Sequence, residues 1–389
     1  MQFFRYLEEK KRGKIFYIKP GNFNLHSPRK ILSYSLGATL YMPATRKDIS
    51  KSLLKSNDMG LTSIVVCCED SIGESDIQFG EKNIFSGFKE FSLLIEHGDV
   101  ELENVPLIFL RVRNVEQFQR MIEKSLDLSF LCGFVFPKFS IKTDGERYIN
   151  LLRQINETSK RKFYGMPILE SPEVIYKESR IDELLAIKNF LDRYKDIILN
   201  IRIGATDFSG IYAIRRKFDQ TIYDISVIRD CIGDIVNIFL RPESDYVISG
   251  PVWKYFPSGK RLLKPLLRES AFISEMGERG MERRKYLIDQ YIDGLIRETL
   301  LDKANGLTGK TVIHPTHISI VNALQVVKRE EYEDAKLIIE GHKQGAYKSP
   351  YCNKMNESVP HFRWAKKILN KAEIYGVLNE GRNYTSLFI

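Results

Sequence analysis

The sequence predicts an α/β protein: a TIM (β/α)8 barrel with an N-terminal strap, an insertion before the last strand and a C-terminal helical extension. Three observations predict it. Short apolar runs alternate with amphipathic segments eight times, and a run unbroken by polar residues reads as a strand buried on both faces. Asp70, Arg111, Lys138, Glu170, Asp207 and His314 each stand at or just past the end of such a run, which is where a parallel barrel carries its reactive groups. Finally, 389 residues with 43% apolar content suffice for a barrel of about 250 residues plus additions.

Taken in order, residues 1–33 form an N-terminal extension, where Pro20 and Pro28 divide a helix from a strap over the outside of the barrel. Residues 34–330 form the barrel, with strands near 37–42, 62–68, 107–113, 132–137, 165–169, 198–204, 245–249 and 311–314. Between them, 114–126 places Val115, Phe118, Ile122 and Leu126 on one helical face, and 181–191 does the same with Ile181, Leu184, Ile187 and Leu191. About sixty residues separate Gly250 from Lys310, roughly twice a usual unit, which marks an insertion at about 251–290. It carries Lys254, Lys260, Arg261, Lys264 and Arg268 among Trp253, Tyr255 and Phe256. That cluster reads either as a contact for a phosphate-bearing substrate or nucleic acid, or as a basic helix snorkelling on the surface. Residues 331–389 form a helical extension and tail: helices over 331–343 and 361–378, a polar loop from Ser349 to Val359, and a tail from Gly381.

Composition narrows the class. Lys and Arg number 59 against 50 Asp and Glu, a net charge of +9 that suits an anionic partner without naming it. The basic residues are interspersed with acids and form no recognised module, so nucleic acid is the weakest partner. The first twelve residues carry charges where a signal peptide needs an apolar core, and no stretch approaches the roughly 18 apolar residues of a membrane span. The expectation is a cytoplasmic protein without a membrane partner. Five cysteines, an odd number, include the adjacent Cys67 and Cys68 and show no zinc-ligand spacing, so they read as reduced thiols.

Glu170 and Asp207 close the fifth and sixth strands and would hold two carboxylates side by side at the barrel mouth. Hard oxygen ligands of this kind suit Mg2+, which keeps waters and takes further ligands from a substrate; alternatively either acid caps a helix or pairs with a lysine. Arg111 offers a planar fork for a substrate carboxylate, and Arg113, two residues on, would share its face. The other reading of Arg111 is a structural pair with Glu69 or Asp70 on the preceding strand. Lys138, in Phe136-Pro137-Lys138, would orient a metal-binding carboxylate. His314 and His317 read as a strand end and a first helical turn capped by Thr316, not as a metal pair.

At these residues the chain resembles the HpcH/HpaI aldolase and citrate lyase β-subunit family from about 34 to 378. The resemblance is carried by Leu40-Tyr41-Met42-Pro43-Ala44-Thr45-Arg46, Cys68-Glu69-Asp70-Ser71, Leu110-Arg111-Val112-Arg113-Asn114, Phe136-Pro137-Lys138, Ile168-Leu169-Glu170-Ser171, Ile203-Gly204-Ala205-Thr206-Asp207 and Gly309-Lys310-Thr311-Val312-Ile313-His314-Pro315. Lys354 to His361 is similar to the family's closing loop, which in related lyases reaches a neighbouring subunit's active site. The long strap and the insertion resemble the C–C bond lyase branch of tellurite-resistance gene clusters.

The resemblance implies Mg2+ on Glu170 and Asp207, Arg111 meeting a substrate carboxylate or keto oxygen, Glu69 and Asp70 near metal-bound water, and a homo-oligomer, commonly a trimer. Arg46 and Arg113 join Arg111 as candidate substrate contacts, with Glu357 from the closing loop. Three departures count against a coenzyme A thioester as substrate: Ala44 replaces a family glycine, Glu173 stands where a small residue normally lets backbone amides receive a carboxylate, and Glu357 or Ser358 replaces the closing-loop aspartate. The function this predicts is a Mg2+-dependent carbon–carbon bond lyase, or the reverse aldol or Claisen-type condensation, on a small keto or hydroxy acid or its thioester. The alternative is a catalytically inactive barrel serving as a binding subunit of a larger biosynthetic assembly.

Overall fold

The computed structural model of the protein describes residues 1–55, 60–257, 270–287, 290–341 and 345–388. Eight parallel strands form its centre: β1 (Ala38–Pro43), β2 (Ser63–Cys67), β3 (Leu107–Arg111), β4 (Leu131–Phe136), β5 (Tyr164–Leu169), β6 (Ile201–Ile203), β7 (Ile248–Ser249) and β8 (Lys310–Val312). Each pairs with its successor, and β8 returns to β1 through Ala38–Lys310, Thr39–Thr311 and Leu40–Val312. The last seam, β7 to β8, closes through a parallel bridge between Gly250 and Lys310, where the Thr311 N–H donates to the Gly250 carbonyl at 3.1 Å. All eight strands lie where the apolar runs place them. Every residue of β2, β3, β4 and β5 is buried, because helices cover one face and the barrel interior the other.

The helices follow the same logic. Val115–Glu123 buries Val115, Phe118 and Met121, and Asn114 caps it by accepting from the Gln117 N–H at 2.8 Å. Arg180–Asp192 buries Leu184, Ile187 and Leu191, while Ile181 turns outward and is exposed. In the insertion, helices cover Ala271–Met276 and Glu278–Leu287, and the helix Gln290–Ala304 follows it. Four of its predicted basic residues, Lys260, Arg261, Lys264 and Arg268, lie outside the described residues.

The helix Gln290–Ala304 is pinned to the barrel by buried charge. Lys310 Nζ donates to Glu298 Oε1 at 2.9 Å and to Asp302 Oδ2 at 2.6 Å, and Arg216 also pairs with Glu298. A Cβ on Gly250 would meet Asp302 Oδ2 at 2.4 Å, so glycine is required where the helix crosses the seam.

Beyond β8, helices Arg329–Glu340 and Ser358–Tyr375 enclose a small core of their own that includes Ala335, Ile338, Ala365 and Ile368. Two predicted features differ. The polar loop forms a hairpin in which Ala346–Lys348 pairs antiparallel with Met355–Glu357. The tail is packed, with Leu387 and Phe388 buried and Thr385 and Ser386 donating to Glu275. Both chain ends meet where Phe16–Ile18 pairs antiparallel with Val377–Leu378.

Candidate active site

At the C-terminal ends of β2 to β6, four carboxylates surround two cations. Register sets the arrangement: Cys67 pairs with Arg111, Arg111 with Val135 and Val135 with Met166, so Glu69 stands two residues and Glu170 four residues past the level of Arg111, on strands to either side of it. Arg111 Nη2 lies 2.5 Å from Glu69 Oε2, 3.1 Å from Asp70 Oδ2 and 3.2 Å from Glu170 Oε1. Its Nε has no partner, and its Nη1 donates to the Cys67 sulfur at 3.9 Å, which leaves both without an oxygen acceptor. Lys138 completes the cluster in two ways. Its Nζ lies 2.8 Å from Glu69 Oε1, and its backbone N–H donates to Glu170 Oε1 at 2.9 Å. That donation uses a left-handed backbone with φ +47°, a conformation that a non-glycine residue keeps only where its surroundings enforce it.

Asp207 lies one step beyond its predicted place. β6 ends at Ile203, and Asp207 sits in the first turn of helix Ala205–Ile211, close enough to hydrogen-bond Glu170 through their side chains. Gly204 makes this approach feasible, since a Cβ there would stand 2.1 Å from Glu170 Oε2.

Charge explains the protonation pattern. Burial raises Glu170 to about 8, Arg111 opposes this, and Asp207 adds to it. Burial likewise raises Asp207, helped by Asp70, and raises Glu69. Burial pushes Asp70 upward too, but its hydrogen bond with Glu69 and the Arg111 charge outweigh this and hold it low. The four carboxylates touch only two cations, Arg111 and Lys138, and Glu170 and Asp207 stand together with room for a further positive charge between them. Among the described residues no group of three or more His, Cys, Asp or Glu forms a complete metal cage. A cation between Glu170 and Asp207 would therefore draw its other ligands from water and substrate, which fits Mg2+.

Asp70, Arg111, Glu170 and Asp207 line a cavity of about 320 Å3 that also takes in Tyr41, Arg202, Val252, Lys254 and Thr311. A second cavity of about 370 Å3 shares Ala205, Thr206 and Lys254 with it and adds Arg215 and Arg216. A wider groove of about 1260 Å3 lies on the outer face of helix Ile77–Glu96, away from the strand ends.

A family model described as C–C bond lyase of the TIM-barrel fold matches residues 30–377. The chain belongs to this family. No curated protein sequence matches it. Among solved structures, CitE from Mycobacterium tuberculosis in complex with magnesium, acetoacetate and coenzyme A superposes with TM-score 0.50 at 15% identity, over 87% of this chain and 99% of that one. RipC from Yersinia pestis gives 0.46 at 15% identity over 75% and 95%, and the M. tuberculosis citrate lyase β subunit with oxaloacetate and magnesium gives 0.42 at 14% over 75% and 96%. At these identities the likeness is one of fold.

In this chain, three predicted substrate contacts fall outside the cavity. β3 ends at Arg111, so the alternation that would align Arg113 with it stops; Arg113 Nη2 instead lies 3.6 Å from Glu74 Oε1. Arg46 is exposed and donates to Ser52 Oγ at 3.0 Å. Glu357 ends the C-terminal hairpin, exposed, with its N–H on His361 Nδ1 at 3.0 Å. His314 stacks on Phe256 and itself accepts from the Thr316 N–H, so it, not Thr316, caps the turn. His317 Nε2 lies 2.9 Å from the Tyr255 carbonyl oxygen. All five cysteines are free thiols. No helix among the described residues is long and apolar enough to cross a membrane.

Sequence reasoning missed Arg202 and Lys254 as cavity residues. Lys254 was visible only as one of a basic cluster. Arg202 had a clearer signal: it is the one charged residue in the run Ile198-Leu199-Asn200-Ile201-Arg202-Ile203, and a charge inside a fully buried strand points into the barrel.

Proposed function

We propose that the chain is a Mg2+-dependent carbon–carbon bond lyase, or a catalyst of the reverse aldol or Claisen-type condensation, acting on a small keto or hydroxy acid. The observation that carries this reading is the contact between Glu170 and Asp207 inside a cluster with more carboxylates than cations. Family membership supplies the reaction class.

Glu170 and Asp207 would hold the ion. When bound, Mg2+ supplies Lewis-acid stabilisation of the negative charge that builds on a substrate oxygen as the bond breaks. Arg111 fixes Glu69, Asp70 and Glu170 through Nη2 and meets a substrate carboxylate or keto oxygen with the donors it does not commit to oxygen. Lys138 locks Glu69, and its backbone aims Glu170. Asp70, held ionised and half exposed on the cavity wall, would accept a hydrogen bond from metal-bound water or a substrate hydroxyl and orient it. We place the protein in the cytoplasm and expect a homo-oligomer in which Glu357 reaches a neighbouring subunit's cavity.

Calorimetry with Mg2+, paired with mass spectrometry of hydroxy acids and their coenzyme A thioesters, tests the reading. The expected result is Mg2+ binding that weakens on the order of a hundredfold in Glu170→Gln and Asp207→Asn, together with metal-dependent cleavage of one panel member. Full activity of Glu170→Gln without metal overturns it. Failure of the wild type to bind Mg2+, alone or with keto acids, favours the inactive binding-subunit reading.

A further inference from the structure

The cavity holds two arginines, and their surroundings differ. Arg111 faces three carboxylates. Arg202, on β6, is 1% exposed and lines the same cavity, yet no carboxylate among the described residues lies within ion-pair reach. Its Nη2 donates to the Thr311 hydroxyl at 2.6 Å across the barrel, and its guanidinium lies 5.5 Å from the Tyr41 ring centroid. Nε and Nη1 have no partner.

A buried guanidinium with two unsatisfied donors is costly, and the cost falls when an anion joins it. Burial and the nearby Arg111 disfavour its charge, while Tyr41 favours it. The hydroxyls of Tyr41 and Thr311 beside it add neutral hydrogen-bonding partners.

We propose that Arg202 forms a second anion-binding subsite at the inner end of the cavity, taking a carboxylate of the substrate. The substrate is then a dicarboxylic keto or hydroxy acid with one acidic end at the Glu170–Asp207 side and the other on Arg202. A cavity of about 320 Å3 is near the lower limit for ligand sites and suits a short diacid. This rests on the proposed lyase reading for the position of the outer end only, since the Arg202 subsite needs no metal.

The test uses the full chain and stable probes: succinate and malonate against acetate and inorganic phosphate, titrated by calorimetry with and without Mg2+. The wild type should bind at least one diacid about tenfold or more tighter than acetate, and Arg202→Met should erase that preference while leaving Mg2+ affinity unchanged. Where Arg202→Met does not fold, Arg202→Lys serves: it keeps the charge but loses the fork, and diacid affinity should fall several-fold at constant Mg2+ affinity. Unchanged diacid binding in the folded variant overturns the proposal. So does tighter binding of phosphate than of either diacid, which would assign the subsite to a phosphoryl group. Loss of Mg2+ binding in the wild type, with the Arg202-dependent preference intact, defeats the metal reading alone.

Discussion

Glu170 is the residue on which the site turns, because its protonation and its metal binding exclude each other. Burial raises its carboxyl to about 8, so at neutral pH it is mostly protonated beside Asp207. A cation needs both oxygens ionised, and uptake must expel the proton. Mg2+ affinity should therefore rise by up to about tenfold per pH unit below 8 and level off above it. Calorimetry at pH 6.5 in buffers of different ionisation enthalpy should register about one proton released per ion, falling toward none at pH 9. A pH-independent affinity would remove Glu170 from the ligand set. The metal-free protein shows the same linkage. The folded value lies above the ordinary 4.5, so this group's contribution to stability is complete below that value and is lost as pH rises through about 8. The melting temperature of Glu170→Gln relative to wild type should therefore be higher at pH 9 than at pH 6.

At the scale of elements, the Gln290–Ala304 helix shows how a buried charge fixes one piece of chain against another. Glu298 and Asp302 are four residues apart and share one helical face, and Lys310 reaches both from the strand that closes the barrel. All three are buried, and Tyr223 Oη adds a donation to Asp302 Oδ1 at 2.8 Å. Replacing Lys310 with Met leaves two buried carboxylates short of a cation, which should cost about 3–5 kcal/mol in urea unfolding. A loss below about 1 kcal/mol would show that Arg216 alone neutralises the pair. The Glu298–Asp302 spacing was present in the sequence, but nothing there linked it to Lys310, which read as part of a strand-end motif. Strands were legible for a simpler reason: a run such as Leu107-Ile108-Phe109-Leu110 has no polar face to offer water. Asp70, Glu170 and Arg111 were legible because they interrupt such runs at the open rim. Arg113 misled because its alternation outlasts the strand, and Asp207 belongs to the first turn of the next helix because the apolar run stops at Ile203, four residues before it.

Across the whole molecule, the barrel is bounded by chain ends that the sequence did not connect. The segment 381–389 read as a tail because it is short and polar at its start, yet its apolar end closes against residues more than 100 positions away. Tyr6 Oη donates to the Leu387 carbonyl at 2.9 Å, and the Phe388 ring lies 5.8 Å from Phe272. Such closure has no local signature, since each partner is apolar and only the folded chain brings them together. It has an energetic one. Phe388 is 4% exposed and packs on an insertion helix, so Phe388→Ala should lower unfolding free energy by about 3–5 kcal/mol. Because the ring is remote from Glu170 and Asp207, Mg2+ affinity at 25 °C should stay within about twofold of wild type. Urea denaturation followed by tryptophan fluorescence and by far-UV circular dichroism tests both halves. Coincident transitions shifted to lower urea mark the ends as part of one cooperative unit with the barrel, whereas a separate early transition, with the main midpoint unmoved, would make them a detachable layer.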